Sequence, residues 1–363
     1  MKRVIQSPLK YVQGPDQLAT LAENVAILGK VGAFTVVDAF ILEKQEPKIV
    51  ASFQKSPVQI KIWKFGGECS QTEVDKIIAA VKESKFDVIV GIGGGKTLDT
   101  AKAVSFYLKL PVIVAPSAAS SDAPCSALSV MYKDNHQFDR YLVLPRNPDL
   151  VLMDTNLILT APVRMLISGI GDALATYYEA HAVSVAKKRT MAGGICSVTG
   201  LAIGQACRDT LFQYGVQAKK DAEAGKLSEA VENIIEANTY LSGIGFESGG
   251  LAGAHAIHNG MTALEETHSY LHGEKVAFGT LVHLVLIKAP DDELKKVITF
   301  CRSVGLPTSL KQLGISNASR ERLVEVAKLS LSEGDTMRNM PIVPSVDEVV
   351  EAIIKADKIG SSK

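Results

Sequence analysis

Three residues of types that ligate metals stand in apolar, glycine-rich surroundings where an isolated charge is costly. Asp172 lies inside LISGIGDALATYYEA, which otherwise has the texture of an apolar helix. His255 and His258 share GGLAGAHAIHNG, three residues apart, and His272 follows in SYLHGEKVAFGTL, just before another helical pattern. An unpaired carboxylate buried in such a setting costs several kcal/mol, so Asp172 must face a cation, a donor network or water. One oxygen ligand and two imidazoles from different helices suit a divalent cation with an open coordination position, as metal catalysis requires. The alternative is that these imidazoles are hydrogen-bonded core residues. A further acid, Asp122 in PSAASSDAPCSA, reads on its own as a turn or cap residue.

A second chemistry is written in DVIVGIGGGKTLDTAK at 87–102, an apolar strand followed by a glycine cluster and a helical pattern. Glycines let the backbone approach a phosphate closely, while the free amides and positive dipole end of the next helix favour its charge. A Walker A loop requires glycine where this chain has Val90, and GxGxxG fails because its last glycine would fall on Lys96 or Leu98. The loop therefore reads either as an anion cradle of another kind or as a tight strand-to-helix turn. Asp38, at the end of an expected strand, is suited to accept hydrogen bonds from a ribose diol.

These residues need elements to hold them. Val- and Ile-rich runs at 33–40, 58–63, 87–93, 111–117 and 150–154 read as buried parallel strands, and 127–132 with 141–145 as a hairpin. Helical patterns occupy 15–28, 71–84 and 96–108 between them, and Ser70 with Glu73 predicts reciprocal capping at the start of the second. This alternation implies an α/β N-terminal nucleotide-binding domain with a parallel sheet, whose ligands bind beyond the carboxyl ends of the strands. After Pro162 the runs give way to long Ala-, Leu- and Glu-rich patterns, implying an all-α C-terminal domain. The expected division is 1–160 and 161–363.

Composition narrows the function classes. Hydrophobic residues make up 47% of 363, enough for two cores, and 39 basic residues balance 39 acidic ones. No basic run is long enough to follow a nucleic-acid backbone, and no segment has the length of a signal peptide or membrane span. The five cysteines form no CxxC pair, which points to reduced thiols and a cytoplasmic location.

Taken together, GIGGGKTLDTAK, APSAASSDAPCSALSVMY, GIGDALATYYEA, FESGGLAGAHAIHNG and HGEKVAFGTL resemble the zinc-type glycerol dehydrogenases of the iron-containing alcohol dehydrogenase superfamily, from the opening RVIQSPLKYVQG to about residue 345. The resemblance implies a dehydroquinate synthase-like fold, NAD-dependent oxidation of glycerol to dihydroxyacetone and of related vicinal diols, and a homo-oligomer, commonly an octamer. It implies one zinc per subunit, with Fe2+ or Mn2+ as substitutes, on Asp172, His255 and His272. The fourth histidine of the iron-type relatives falls at Thr176, which leaves three protein ligands. Gly94, Gly95 and Lys96 would meet the cofactor pyrophosphate, Asp38 the adenosine ribose, and Ser117, Ser120, Ser126, Leu128 and Tyr132 the rest of the cofactor. Asp122 would hydrogen-bond a substrate hydroxyl, and His258 would relay a proton to water. The rival readings are a polyol-phosphate enzyme resembling glycerol-1-phosphate dehydrogenase and a non-catalytic NAD and metal sensor.

Overall fold

The computed structural model describes residues 2–362. They fall into two compact units. One comprises Ser7–Ala119 and Ala123–Ala161; the other takes the chain up to Gln6, the short piece Ser120–Asp122, and everything from Pro162 onward.

The first unit is α/β. Its strands are β1 (Lys10–Gly14), β2 (Gly32–Val37), β3 (Gln59–Lys64), β4 (Val88–Gly93), β5 (Val112–Pro116), β6 (Leu128–Tyr132), β7 (Phe138–Val143) and β8 (Leu150–Asp154). Six of them form a parallel sheet in the order β1-β8-β5-β4-β2-β3, and β6 pairs antiparallel with β7. Every residue of β2, β4, β5 and β8 is buried, as near-continuous apolar runs covered on both faces should be. From β2 the chain crosses to β3 on one side, and from β4 to β5 on the other, so the ends of β2 and β4 flank a topological switch point. The glycine loop follows β4 and Asp38 follows β2.

Local structure departs from the sequence expectation at four points. β1 was not anticipated, and residues 15–28 begin as a 3-10 turn, Gln17–Thr20, before the α-helix Leu21–Leu28. The run 33–40 is strand only to Val37; Asp38 then caps a helix, Ala39–Phe53, accepting from the amides of Phe40 and Ile41. At the helix Gln71–Ser84 only half of the reciprocal cap forms. Ser70 accepts from the Glu73 amide, while the Glu73 carboxylate turns to the Trp63 indole and the Gly66 amide.

A buried ion pair ties the hairpin to the helix Gly95–Leu108. The Lys102 amine, with no exposed side-chain surface, lies 2.8 Å from Asp99 and donates to the carbonyls of Ala123 and Leu128. Asp99 in turn accepts from the Val130 amide at 3.0 Å. Such a pair is tolerable in a dry interior because its remaining hydrogen-bonding capacity is met.

The second unit has no named strand among the described residues. Its frame includes the helices Val163–Ala186, Val198–Glu223, Gly253–Met261 and His272–Leu286. Two glycines let the last of these approach its neighbours at backbone distance. A Cβ on Gly273 would lie 1.7 Å from the Ser168 carbonyl oxygen, and one on Gly279 would lie 2.3 Å from that of Ala254. Gly171 is the counterpart on the facing helix, since a Cβ there would meet the Gly273 carbonyl at 2.3 Å. The crossing falls between Asp172 and His272, the sequence neighbours of those two glycines. Gly273→Ala should therefore lower stability by about 1–3 kcal/mol through overpacking, visible as a fall in thermal midpoint. Gly94→Ala, where a Cβ meets nothing within 4 Å, serves as the control and should stay within about 0.5 kcal/mol of the parent.

Candidate metal centre and nucleotide loop

Asp172 is fully buried midway along Val163–Ala186. Its Oδ1 lies 3.3 Å from His255 Nε2 and 3.1 Å from His272 Nε2. His255 sits in the first turn of Gly253–Met261 and His272 opens His272–Leu286, so three helices each contribute one side chain. The ligand atoms of the three residues all lie within 4.8 Å of one another.

The far sides of both rings are occupied. His255 Nδ1 lies 2.6 Å from Glu179 Oε2, and His272 Nδ1 lies 3.0 Å from His258 Nε2. His258 Nδ1 continues to Asn259 Oδ1 at 3.1 Å, and the Asn259 amide donates to Asp335 at 3.0 Å. With each Nδ1 donating outward, the Nε2 lone pairs of His255 and His272 are left facing Asp172 Oδ1, a set of acceptors alone that calls for a cation between them. Two neutral imidazoles and a carboxylate so arranged are the donor set of a three-ligand divalent site, and the residues present fit a metal ion.

Without a metal ion, charge on His255 takes its place. Burial opposes the charge of Asp172, but His272 and His255 outweigh it and hold its carboxyl well below the usual range. Burial and the neighbouring charge of Asp172 push the Asp122 carboxyl well above its usual value. His255 is buried, which disfavours its cation, yet Glu179 and Asp172 raise its pKa well above the ordinary value. His258 moves the opposite way, driven down by burial and then by His272. The pocket thus favours positive charge at the point between Asp172 and His255.

Asp122 belongs to this unit, and its backbone amide donates to Asp172 Oδ2 at 3.2 Å. Its own Oδ2 accepts from Ser242 at 2.7 Å, and the Ser242 oxygen is 2.9 Å from the hydroxyl of Thr176. Ser242 follows directly on a π-turn, Ala237–Leu241, a wide turn of the kind that often marks functional sites. Thr176, one turn beyond Asp172, thus connects to Asp122 through a hydroxyl. Sequence reasoning passed over Glu179 and Ser242. Glu179 had a usable signal, since seven residues place it on the same helix face as Asp172.

In the α/β unit, Gly94 and Gly95 open the helix Gly95–Leu108, and a Cβ on either would meet nothing within 4 Å. Gly93 has φ +152°, and a Cβ there would press against Asp38, so the glycine loop and the end of β2 touch. Lys96 lies 2.7 Å from Glu68 and over the Tyr132 ring at 4.8 Å, with His136 Nδ1 on the same Glu68 oxygen. The Ser117 amide donates to Gly93 at 2.9 Å. Ser126 and Leu128 lie on the segment that Lys102 anchors. Ser120 alone of the proposed cofactor contacts falls in the helical unit, where its carbonyl accepts from Ser168. Asp38 uses only Oδ1 as a helix cap.

Residues 8–155 match the family described as iron-containing alcohol dehydrogenase. A glycerol dehydrogenase from Citrobacter freundii is 48% identical over 99% of this chain and 98% of its own length, and one from Pseudomonas putida is 49% identical over the same shares. The chain belongs to the glycerol dehydrogenase family of iron-containing alcohol dehydrogenases. The crystal structure of glycerol dehydrogenase from Schizosaccharomyces pombe superposes with a TM-score of 0.95 at 40% identity, covering 99% of this chain and 91% of that one. For this family member, as an oxidoreductase that implies NAD and a metal, the cluster makes a sharp prediction. With zinc added as the probe cation, His272→Ala should lose stoichiometric binding, measured by metal analysis after dialysis, while NAD binding stays within about twofold of the parent, a change of roughly 0.4 kcal/mol. A variant that keeps one zinc per chain contradicts the assignment.

Proposed function

We propose that this chain is an NAD-dependent glycerol dehydrogenase that oxidises glycerol to dihydroxyacetone and accepts related vicinal diols. The observation that carries the reading is the meeting of Asp172, His255 and His272 with both distal ring nitrogens already engaged. These three residues would hold one divalent cation per subunit, zinc by preference and Fe2+ or Mn2+ as substitutes. When bound, the cation supplies Lewis acidity that lets a substrate hydroxyl lose its proton near neutral pH, and NAD accepts the hydride. The chain's own work is to bind and orient. Asp122, steadied through Ser242, accepts a hydrogen bond from a substrate hydroxyl and fixes which carbon presents its hydrogen. His258 sits behind His272 and orients its ring, a contact that fits positioning better than carriage of a proton to water.

On the nucleotide side, the amides of Gly94 and Gly95 and the Lys96 ammonium would take the pyrophosphate at the helix N-terminus. Asp38 would take the adenosine ribose, and Ser117, Ser126, Leu128 and Tyr132 the remaining surface of this unit. We assign the nucleotide to the α/β domain, the metal to the helical domain, and the whole to a cytoplasmic homo-oligomer, octameric as the family resemblance implies. None of the described helices is long and apolar enough to cross a membrane. A phosphorylated substrate is disfavoured because the residues around the cluster include the carboxylates Asp122, Asp172 and Glu179.

Metal-stripped protein should reduce no NAD with glycerol, recover on addition of zinc, iron or manganese, and prefer glycerol to glycerol 1-phosphate. Undiminished NAD reduction after stripping would refute the reading. For the ribose contact, Asp38→Asn keeps a good helix cap but removes the charge that repels a 2′-phosphate, so the NAD-to-NADP ratio of kcat/KM should fall. An unchanged ratio removes Asp38 from the ribose site.

A further inference from the structure

Glu179 is fully buried in the apolar helix that carries Asp172, seven residues on and on the same face. Its two oxygens have different partners. Oε1 accepts from the backbone amides of Ala252 at 2.9 Å and His255 at 3.0 Å, at the start of Gly253–Met261, where Ala252 provides no side-chain cap. Oε2 faces His255 Nδ1 at 2.6 Å. An ionised carboxylate only accepts, so the ring nitrogen facing it must carry the proton.

We propose that Glu179 is a positioning residue of the metal centre: by holding the His255 proton on Nδ1 it keeps Nε2 available as a ligand, and so it sets cation affinity without touching the cation. The inference rests on the reading that Asp172, His255 and His272 hold the metal. A carboxylate behind a ligating histidine fixes the ring's orientation and tautomer and raises its basicity. Here the carboxylate is itself fixed by two backbone donors, so it cannot rotate to suit another tautomer.

That fixing makes the isosteric substitution informative. In Glu179→Gln the Ala252 and His255 amides hold the new carbonyl oxygen at the Oε1 position, which turns the amide nitrogen toward His255 Nδ1. Both would then be donors, and the neutral ring relieves the conflict only by moving its proton to Nε2, the atom the cation needs. Glutamine preserves volume and the helix cap, so a merely structural role for Glu179 predicts an unchanged site.

The test compares wild type, Glu179→Gln and Asp172→Asn for zinc affinity by chelator competition, with thermal unfolding and NAD binding of the metal-free proteins alongside. The nitrogen spectrum of labelled histidine in zinc-free wild type, where no cation forces the proton onto Nδ1, locates the His255 proton independently of any variant. Expected are loss of stoichiometric zinc in Asp172→Asn, a Kd for zinc raised about 10- to 100-fold in Glu179→Gln with its NAD binding unchanged, and a proton on His255 Nδ1 in the zinc-free wild type. Wild-type zinc affinity in Glu179→Gln alone, or an unprotonated Nδ1 in the wild-type spectrum, overturns the role of Glu179; the spectrum decides even if the variant fails to fold. Wild-type zinc affinity in Asp172→Asn overturns the metal reading itself, and this inference with it.

Discussion

A carboxylate sealed inside an apolar helix, with two imidazole nitrogens about 3 Å from one of its oxygens, is the constraint around which the helical unit is organised. Asp172 carries a charge that its surroundings would otherwise neutralise, and what sustains the charge is the convergence of His255 and His272. Convergence in turn requires three helices to pass closer than ordinary side chains permit. Gly171, Gly273 and Gly279 supply that closeness at the crossings beside Asp172 and His272 and against the helix of His255. The outer ring nitrogens need partners of their own, and Glu179 and His258 fill those positions. Charge, backbone approach and ring orientation are therefore one coupled design.

The α/β unit is built differently, with a bare turn of backbone held in a loop that is not left loose. The open faces of Gly94 and Gly95 stand at the head of a helix whose body is locked by the buried Lys102–Asp99 pair to the hairpin bearing Leu128 and Tyr132. On the proposed reading, a rigid frame behind a bare glycine turn would let a phosphate be met by amides that need no reorganisation.

The parallel strands were legible because full burial demands uninterrupted Val and Ile, and the glycine loop because its three glycines follow such a strand. Asp172 was legible because a charge in an apolar helix is anomalous in itself; its partnership with His255 and His272 came through family resemblance, since spacing alone favours hydrogen-bonded core histidines. What escaped notice had physical reasons. KYVQG is half-exposed and lacks a strand's apolar run, and Pro47 interrupts the helix Ala39–Phe53 where a proline ordinarily signals an end. Glu73 shows how a tertiary contact, with Trp63 and Gly66, overrides a local capping pattern. The Ser242 hydroxyl meets Asp122 across 120 residues, a pairing with no local signature.

The most direct measurement is X-ray absorption at the metal edge of the zinc-loaded protein. The account predicts a first shell with two imidazole nitrogens and a carboxylate oxygen at about 2.0–2.2 Å, the remainder made up by non-protein oxygen, with multiple scattering from two rings. A shell containing sulfur, or one lacking the imidazole signature, contradicts it.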